Sequence, residues 1–211
     1  MSRTLVMSVS ALIAIAACAG PGATPASPAA TAAVSQAPSI AVATAPVTVA
    51  PPTVATPVSF TSPLYHYSVT LPARWSVGPA LLPWDGASAP GHDDASVDRF
   101  DSPATVSAWG FAGPATVDLD RFVAENIAWT VRDHGDTCPA RTPETNEPIQ
   151  IGGKAGILLS WNCGILINQA LLIREGTGFV FVMRDPNVPA ETDPDDRAIL
   201  ESLLDSVIFA D

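Results

Sequence analysis

The sequence has few basic residues. Lysine and arginine together make up 10 of its 211 residues, and Lys154 is the single lysine, whereas 21 residues are aspartate or glutamate. A net charge of −11 repels phosphate backbones, which argues against nucleic-acid binding. It also argues against a surface that lies flat on an anionic membrane. The alternative interpretation is that the acidic surface serves solubility alone.

The motifs that usually carry catalysis are also missing. We find no Gly-x-Ser-x-Gly elbow and no glycine-rich phosphate loop in a strand–helix context. The chain has three histidines and no Cys-x-x-Cys. Because a hydrolytic triad needs a nucleophile, a base and an orienting acid, we expect no catalytic set, no metal site and no cofactor, and we expect a protein that is not an enzyme.

No apolar run is long enough to cross a bilayer. The run Leu5–Ile15 ends shortly before Gly-Pro-Gly at 20–22, whereas a spanning helix needs about 20 apolar residues. One charge, Arg3, precedes the run, and small residues follow it, which is typical of a secretory signal. Residues 1–17 are therefore predicted to be a cleaved signal peptide, with an uncleaved anchor as the alternative.

The end of this segment, Ile15-Ala16-Ala17-Cys18, resembles the lipobox of bacterial lipoproteins. In that family the cysteine thiol takes a diacylglycerol, and the small residues before it let the signal peptidase bind. Two acyl chains suffice for stable anchoring. The resemblance implies a lipoprotein held by Cys18 on the extracytoplasmic side of the cell membrane. An ordinary secretory signal with an incidental cysteine is the alternative.

A segment without charged side chains follows. Residues 19–57 consist almost entirely of Ala, Pro, Thr, Val and Ser, a composition typical of a disordered linker with polyproline II character. Fully extended, about 40 residues at about 3.1 Å each reach roughly 120 Å. We predict that the lipidated cysteine and this tether span 18–57 and hold the folded part away from the membrane. A spacer of no selected length is the alternative.

Residues 58–211 are predicted to form one domain, which is large enough to bury a core. Its predicted order is strands, a helix capped by Thr116 or Asp118, a meander of three strands over 154–184, and a helix that begins at Asp193-Pro194. This order predicts an α+β fold, with an antiparallel sheet on which the helices pack. Residues 78–96, rich in Gly, Pro, Asp and Ser, are predicted to be a long loop.

Two cysteines remain in this domain, Cys138 and Cys163. An exported protein matures in an oxidising compartment, where an even number of cysteines indicates a disulfide. We therefore predict a structural Cys138–Cys163 disulfide. One reactive thiol with an external partner is the alternative.

The long loop holds the candidate binding residues. A tryptophan beside carboxylates in a loop can form part of a ligand or partner site, and it can equally tuck back over the sheet. Carboxylates beside a histidine can bind a divalent cation, but the spacing matches no EF-hand or zinc pattern, so a solvated acidic loop is the preferred interpretation. The candidates are Trp84, Asp85, His92, Asp93 and Asp94.

The domain also resembles a known family. Tyr65–Pro72 with Trp75 resembles the opening hairpin of PsbP-like domains, and the segments Gly152–Gly156, Ile199–Leu203 and Phe209 are similar to later parts of the same pattern. This chain has His66 between the two aromatic residues, where the family usually has glycine. The resemblance implies an α/β/α sandwich around an antiparallel sheet. It also implies a binding or assembly module, with no shared catalytic set.

The sequence as a whole predicts a membrane-tethered binding module. Its loop and the adjoining sheet face would contact a protein or a small hydrophobic ligand. One alternative is an envelope-acting hydrolase whose site is assembled only in the fold, which requires titratable side chains that converge in a pocket. The other is a purely structural envelope lipoprotein.

Overall fold

The computed structural model of the chain describes residues 55–185 and 194–210. The predicted signal peptide, Cys18, the tether up to residue 54 and the predicted helix cap Asp193 lie outside the described residues. The elements are β1 (Val58–Thr61), β2 (Tyr67–Leu71), β3 (Ser76–Gly78), β4 (Asp98–Asp101), β5 (Ser107–Pro114), α1 (Leu119–His134), β6 (Thr145–Ile151), β7 (Lys154–Asn162), β8 (Leu166–Arg174), β9 (Thr177–Asp185), α2 (Pro194–Asp205) and β10 (Ile208–Phe209).

The centre of the fold is a seven-stranded sheet in the order β3-β4-β5-β9-β8-β7-β6. Every adjacent pair in this sheet is antiparallel. A smaller sheet, β1-β2-β10, is also antiparallel. The predicted α+β class with an antiparallel sheet is therefore confirmed.

The two faces of the large sheet are covered by different elements. On one face, Tyr67 of the small sheet packs edge-on against Phe181, with ring centroids 5.1 Å apart. The apolar side of α2 is buried as well, through Leu200, Leu203 and Leu204. On the opposite face, a Cβ added to Gly178 would meet the α1 side chain of Phe122 at 2.4 Å. The large sheet is therefore the middle layer of three.

Helix α1 begins and ends close to its predicted limits. Asp118 is the N-cap, and its side chain accepts a hydrogen bond from the backbone amide of Arg121, which satisfies one free donor of the first turn. Phe122 and Val123 are buried on its inner side. Asn126 and Thr130 are buried there too, which leaves polar groups on a helix face that otherwise packs against the sheet.

Two strands differ from the prediction. The segment Thr145–Ile151 precedes the predicted meander of 154–184 and was not predicted to be a strand, but it forms the edge strand β6. Its residues are mostly exposed and it contains Pro148, which is tolerated at a sheet edge but weakens the strand pattern in the sequence. Strand β1, Val58–Thr61, was also missed, because its alternation of Val, Ser, Phe and Thr has only the minimum length at which alternation indicates a strand.

The turn before β2 has His66 at the position where the PsbP-like pattern usually has glycine. His66 has φ of +55°, a conformation that costs a non-glycine residue free energy. The backbone amide of Ser62 donates to the carbonyl of Tyr67 at 2.8 Å, and that of Ala210 donates to His66. These bonds hold the turn in place despite its strain.

Candidate functional site

A partly enclosed cavity of about 170 Å³ lies between the large sheet and the loop over residues 79–97, called the roof loop below. Strands β5, β7, β8 and β9 form its floor, and the end of α1 forms one side. The side chains of the floor are those of Trp109, Phe111, Trp161, Ile167, Gln169, Val182 and Arg184. The α1 side is lined by Asn126, Thr130 and His134. The roof contributes Ala89–His92.

The strand register explains why these floor residues meet. Trp109 of β5 pairs with Val182 of β9, which pairs in turn with Gln169 of β8. Directly opposed residues in an antiparallel sheet project from the same face. Gln169 continues the row to Leu159 of β7. The cavity therefore lies on the α1 face of the sheet.

The roof loop is held by the last turn of α1. The Arg132 guanidinium donates to the Ala87 carbonyl at 2.9 Å, and the Asp133 carboxylate accepts from the Ala89 amide at 2.9 Å. The His134 Nε2 lies 2.6 Å from the Ala89 carbonyl oxygen. Hydrogen bonding to Arg132 holds the pKa of Asp133 below its ordinary value. Asp133 is therefore charged when it holds the loop at neutral pH.

Tyr65 fastens the other part of the roof loop. Its hydroxyl accepts a hydrogen bond from the Trp84 amide at 3.1 Å and is directed at the carbonyl oxygens of Leu82 and Ser96. Burial raises the pKa of Tyr65 to about 12, against a lowering by the Trp84 amide. The hydroxyl thus stays protonated and can donate to these carbonyls at any physiological pH.

Trp84 packs back over the sheet, which was the alternative to a place in a ligand or partner site. It is 4% exposed and packs edge-on against Phe111 and Trp129, with ring centroids 4.9 and 5.7 Å away. Its indole N–H donates to the carbonyl oxygen of Ser88 at 3.1 Å. Trp84 therefore supports the roof loop from within the core and does not line the cavity.

The acidic candidates of the loop shape its turns. Asp85 accepts hydrogen bonds from the Ala87 amide and the Ser88 hydroxyl. Asp94 accepts from the amide and the hydroxyl of Ser96. These contacts are the usual ones of short polar side chains in turns. Neither Asp85, Asp93 nor Asp94 lines the cavity.

His92 is the one predicted binding residue that lines the cavity. Its side chain is 9% exposed and lies between two carboxylates, with Nδ1 3.0 Å from Asp93 and Nε2 2.9 Å from Asp101. Its ring packs edge-on against Trp109 at 5.8 Å. The Nε2–Asp101 contact is close but poorly aligned for a hydrogen bond, since His92 Nε2 has no well-oriented partner among the described residues.

Sequence reasoning missed the polar groups of the floor. Gln169 accepts from the Trp161 indole N–H at 3.0 Å and donates to the Thr130 hydroxyl at 3.3 Å. The guanidinium of Arg184 lies 5.8 Å from the centroid of Trp109, while its Nε is buried without a hydrogen-bond partner in the described part of the chain. Asn168-Gln169, two polar residues inside an apolar strand, was the available signal.

The predicted disulfide between Cys138 and Cys163 is present, and both cysteines line the cavity. It joins the segment after α1 to the end of β7, which are 25 residues apart in the sequence. The disulfide therefore links two segments of the cavity lining by a covalent bond.

A second concavity, wider and more open, lies on the other side of Trp84. It has a volume of about 690 Å³ and is lined in part by Tyr65, Trp84, Gly113, Arg174 and Phe179. Within residues 55–185 and 194–210, no three His, Cys, Asp or Glu side chains are grouped so as to hold a metal ion. The same residues include no helix that is long and apolar enough to span a bilayer.

Comparisons with known proteins identify the fold. No family model matches the chain, and no curated protein matches it. The solution structure of cyanobacterial PsbP (CyanoP) from Synechocystis sp. PCC 6803 is similar, with a TM-score of 0.51 and 11% identity over 74% of this chain and 94% of that one. The domain has the PsbP-like fold.

A crystal structure from Bacteroides thetaiotaomicron VPI-5482 at 1.50 Å resolution is also similar, with a TM-score of 0.43 and 12% identity over 72% of this chain. The chain spans about half the length of that protein, 48%.

Proposed function

We propose that this PsbP-like domain is a non-enzymatic binding module that takes a small ligand into the cavity beneath the roof loop. The observation that carries the proposal is the combination of an aromatic wall with a few converging polar groups in one partly enclosed site. Binding sites for small molecules are typically concave and largely apolar, with a few placed polar groups. Trp109, Phe111 and Trp161 supply the wall, while Gln169 and Arg184 supply polar groups.

The chemistry of the lining supports binding over catalysis. The His92 Nδ1 is hydrogen-bonded to Asp93, and its Nε2 lies 2.9 Å from the Asp101 carboxylate, so neither ring nitrogen has a hydroxyl or thiol nucleophile among its contacts in the described part of the chain. The two cysteines of the lining are joined to each other, and no described residue of the lining is a serine. A general base must reach the proton that it abstracts, and this geometry favours a ligand that leaves unchanged.

We further propose that the module is an extracytoplasmic lipoprotein, anchored to the membrane through Cys18 and carried on the tether of residues 18–57. The support is the apolar run Leu5–Ile15 followed directly by Ile15-Ala16-Ala17-Cys18. The disulfide of the folded domain is in keeping with an oxidising compartment. Such an anchor would let the domain take up a ligand near the membrane without contacting the membrane itself.

The alternative of an envelope-acting hydrolase is favoured by one observation. His92 and His134 line the same cavity, and titratable groups that converge in a pocket are what this alternative requires. His134 is a weak candidate for a catalytic base, because its Nε2 is hydrogen-bonded to the Ala89 carbonyl oxygen at 2.6 Å.

Blocking the cavity separates these functions. Thr137 is exposed and belongs to the lining, so Thr137→Trp should close the entrance. Thr145 on the edge strand β6 is exposed and outside the lining, so Thr145→Trp is the matched control. Purified full-length protein would be screened with single-ring compounds by ligand-observed NMR. Binding lost in Thr137→Trp alone supports the proposal.

Two results would contradict the proposal. Equal binding by both variants would mean that the cavity is not the site, and no binding by the unmodified protein would favour a structural role. Release of a chemically altered compound, abolished by His134→Ala, would favour the hydrolase.

A further inference from the structure

The charge distribution around the cavity differs from that of the rest of the chain. The chain has 21 acidic residues and 10 lysines and arginines, yet no described residue of the lining is acidic. The nearby carboxylates of Asp93 and Asp101 contact His92 and lie outside the lining. A cavity whose described lining carries no carboxylate, in so acidic a protein, is suited to a ligand of negative charge.

Arg184 is the one arginine or lysine among the described residues of the cavity lining. Its Nε is withdrawn from water and has no hydrogen-bond partner among the described residues, and within the same residues its guanidinium forms no ion pair. A buried donor that is left unpaired costs free energy, which an acceptor would recover. Nε and one terminal nitrogen of a guanidinium match the two oxygens of a carboxylate.

The size and walls of the cavity restrict what can accompany the carboxylate. A cavity of about 150 Å³ in another protein accommodates benzene, and this one is of similar volume, about 170 Å³. Trp109, Phe111 and Trp161 offer ring faces and edges to a planar apolar body. One ring fits this space, whereas a long acyl chain or an oligosaccharide would exceed it.

We propose that the cavity binds a small aromatic carboxylate, with its carboxylate on Arg184 and its ring against Trp109, Phe111 and Trp161. This inference rests on the proposed binding function and names the ligand class of the same site. Gln169 and Thr130 are already hydrogen-bonded to each other across the floor, so they close the site and leave the charge to Arg184.

Three probes test the two halves of the inference by calorimetry on the full-length protein. Benzoate carries both the ring and the charge, benzamide has the same shape without the charge, and acetate has the charge without the ring. We expect benzoate to bind roughly tenfold or more tightly than either of the others, because a charge-assisted hydrogen bond and a buried ring each contribute at least that much.

Variants then locate the carboxylate. Arg184→Gln should reduce benzoate affinity roughly tenfold and leave benzamide affinity unchanged, and Arg184→Lys should retain part of the preference. Arg121→Gln is the control of equal charge change, because Arg121 lies on the exposed side of α1 with its side chain 70% exposed. The comparison of probes on the unmodified protein stands even if an Arg184 variant fails to fold.

Each outcome has a distinct meaning. Equal affinity for benzoate and benzamide overturns the inference but leaves the proposed binding function intact. Equal affinity for benzoate and acetate overturns the role of the aromatic wall. If none of the three probes binds while other single-ring compounds do, the ligand class is wrong. If no single-ring compound binds at all, the binding function and the ligand class both fail.

Discussion

Asp133 and Ala89 are joined by a hydrogen bond of 2.9 Å from the Ala89 amide to the Asp133 carboxylate. This bond connects the last turn of α1 to the centre of the roof loop, 44 residues away in the sequence. Arg132 and His134, the two neighbours of Asp133, reach the same loop. Three consecutive residues thus hold the part of the roof loop around Ala87 and Ala89.

Replacing Asp133 by Asn should destabilise the protein at neutral pH. The folded-state pKa of Asp133 is lowered by Arg132, so its contribution is present above the ordinary pKa of about 3.8 and is lost as pH falls through the lower folded value. We expect a loss of about 0.5 kcal/mol, since solvent screens this partly exposed pair. Urea unfolding of both proteins between pH 2 and pH 7 measures the difference, which should vanish at the acid end. The exposed residue Asp136 provides the control variant, Asp136→Asn, and a difference independent of pH would contradict this role.

Trp84→Ala should destabilise the fold strongly without acting directly on the cavity. Its ring is 4% exposed and packs against Phe111 and Trp129, and large-to-small changes of this kind cost about 3–5 kcal/mol. Leu81→Ala is a control in the same loop, because Leu81 is 75% exposed. Chemical unfolding monitored by circular dichroism would measure both. A loss below about 1 kcal/mol for Trp84→Ala would mean that the ring is not part of the core.

Reduction of the Cys138–Cys163 disulfide should destabilise the domain. The cysteines are 25 residues apart, and closing a loop of that size contributes about 3 kcal/mol in the chain-entropy model. The double variant Cys138→Ser/Cys163→Ser should therefore unfold at a lower urea concentration, and reductant should have no further effect on it. A double variant as stable as the oxidised protein would show that the link is not structural.

Cys18 should be the first residue of the mature chain and carry the lipid. Intact-mass measurement of protein from a bacterial host should show removal of residues 1–17 and the added mass of a diacylglycerol. Cys18→Ser should abolish the lipid and release the protein from the membrane fraction, whereas Cys138→Ser should retain both features. A mature chain that begins at Cys18 without added mass would contradict the lipoprotein assignment.

The sequence predicted the regular elements well, because each had a local signal. The alternation over Tyr67–Leu71 and the apolar run over Lys154–Asn162 predicted β2 and β7 with their observed bounds. The helix cap at Asp118 was one of two predicted candidates. Strand β6 was missed because an exposed edge strand with Pro148 has no apolar alternation to detect.

The candidate site was predicted less completely. His92 was singled out from its acidic neighbours and does line the cavity, but Trp84 proved to be a core residue. Arg184 was not considered, because one arginine at the end of an apolar strand resembles any solvated strand end. Its importance depends on the buried Nε, which has no hydrogen-bond partner among residues 55–185 and 194–210, and such partners are known only when distant segments have been brought together.

The sequence by itself thus determined the α+β class and most elements of the sheet, because periodicity and helix caps are local signals. It also determined the pairing of the two cysteines, because the domain contains only these two. Only the tertiary structure decided where the cavity lies and which groups face it. The antiparallel register aligned Trp109, Val182 and Gln169 on one face, and the end of α1 placed the roof over them. Both depend on contacts between residues that are far apart in the chain, which no local pattern encodes.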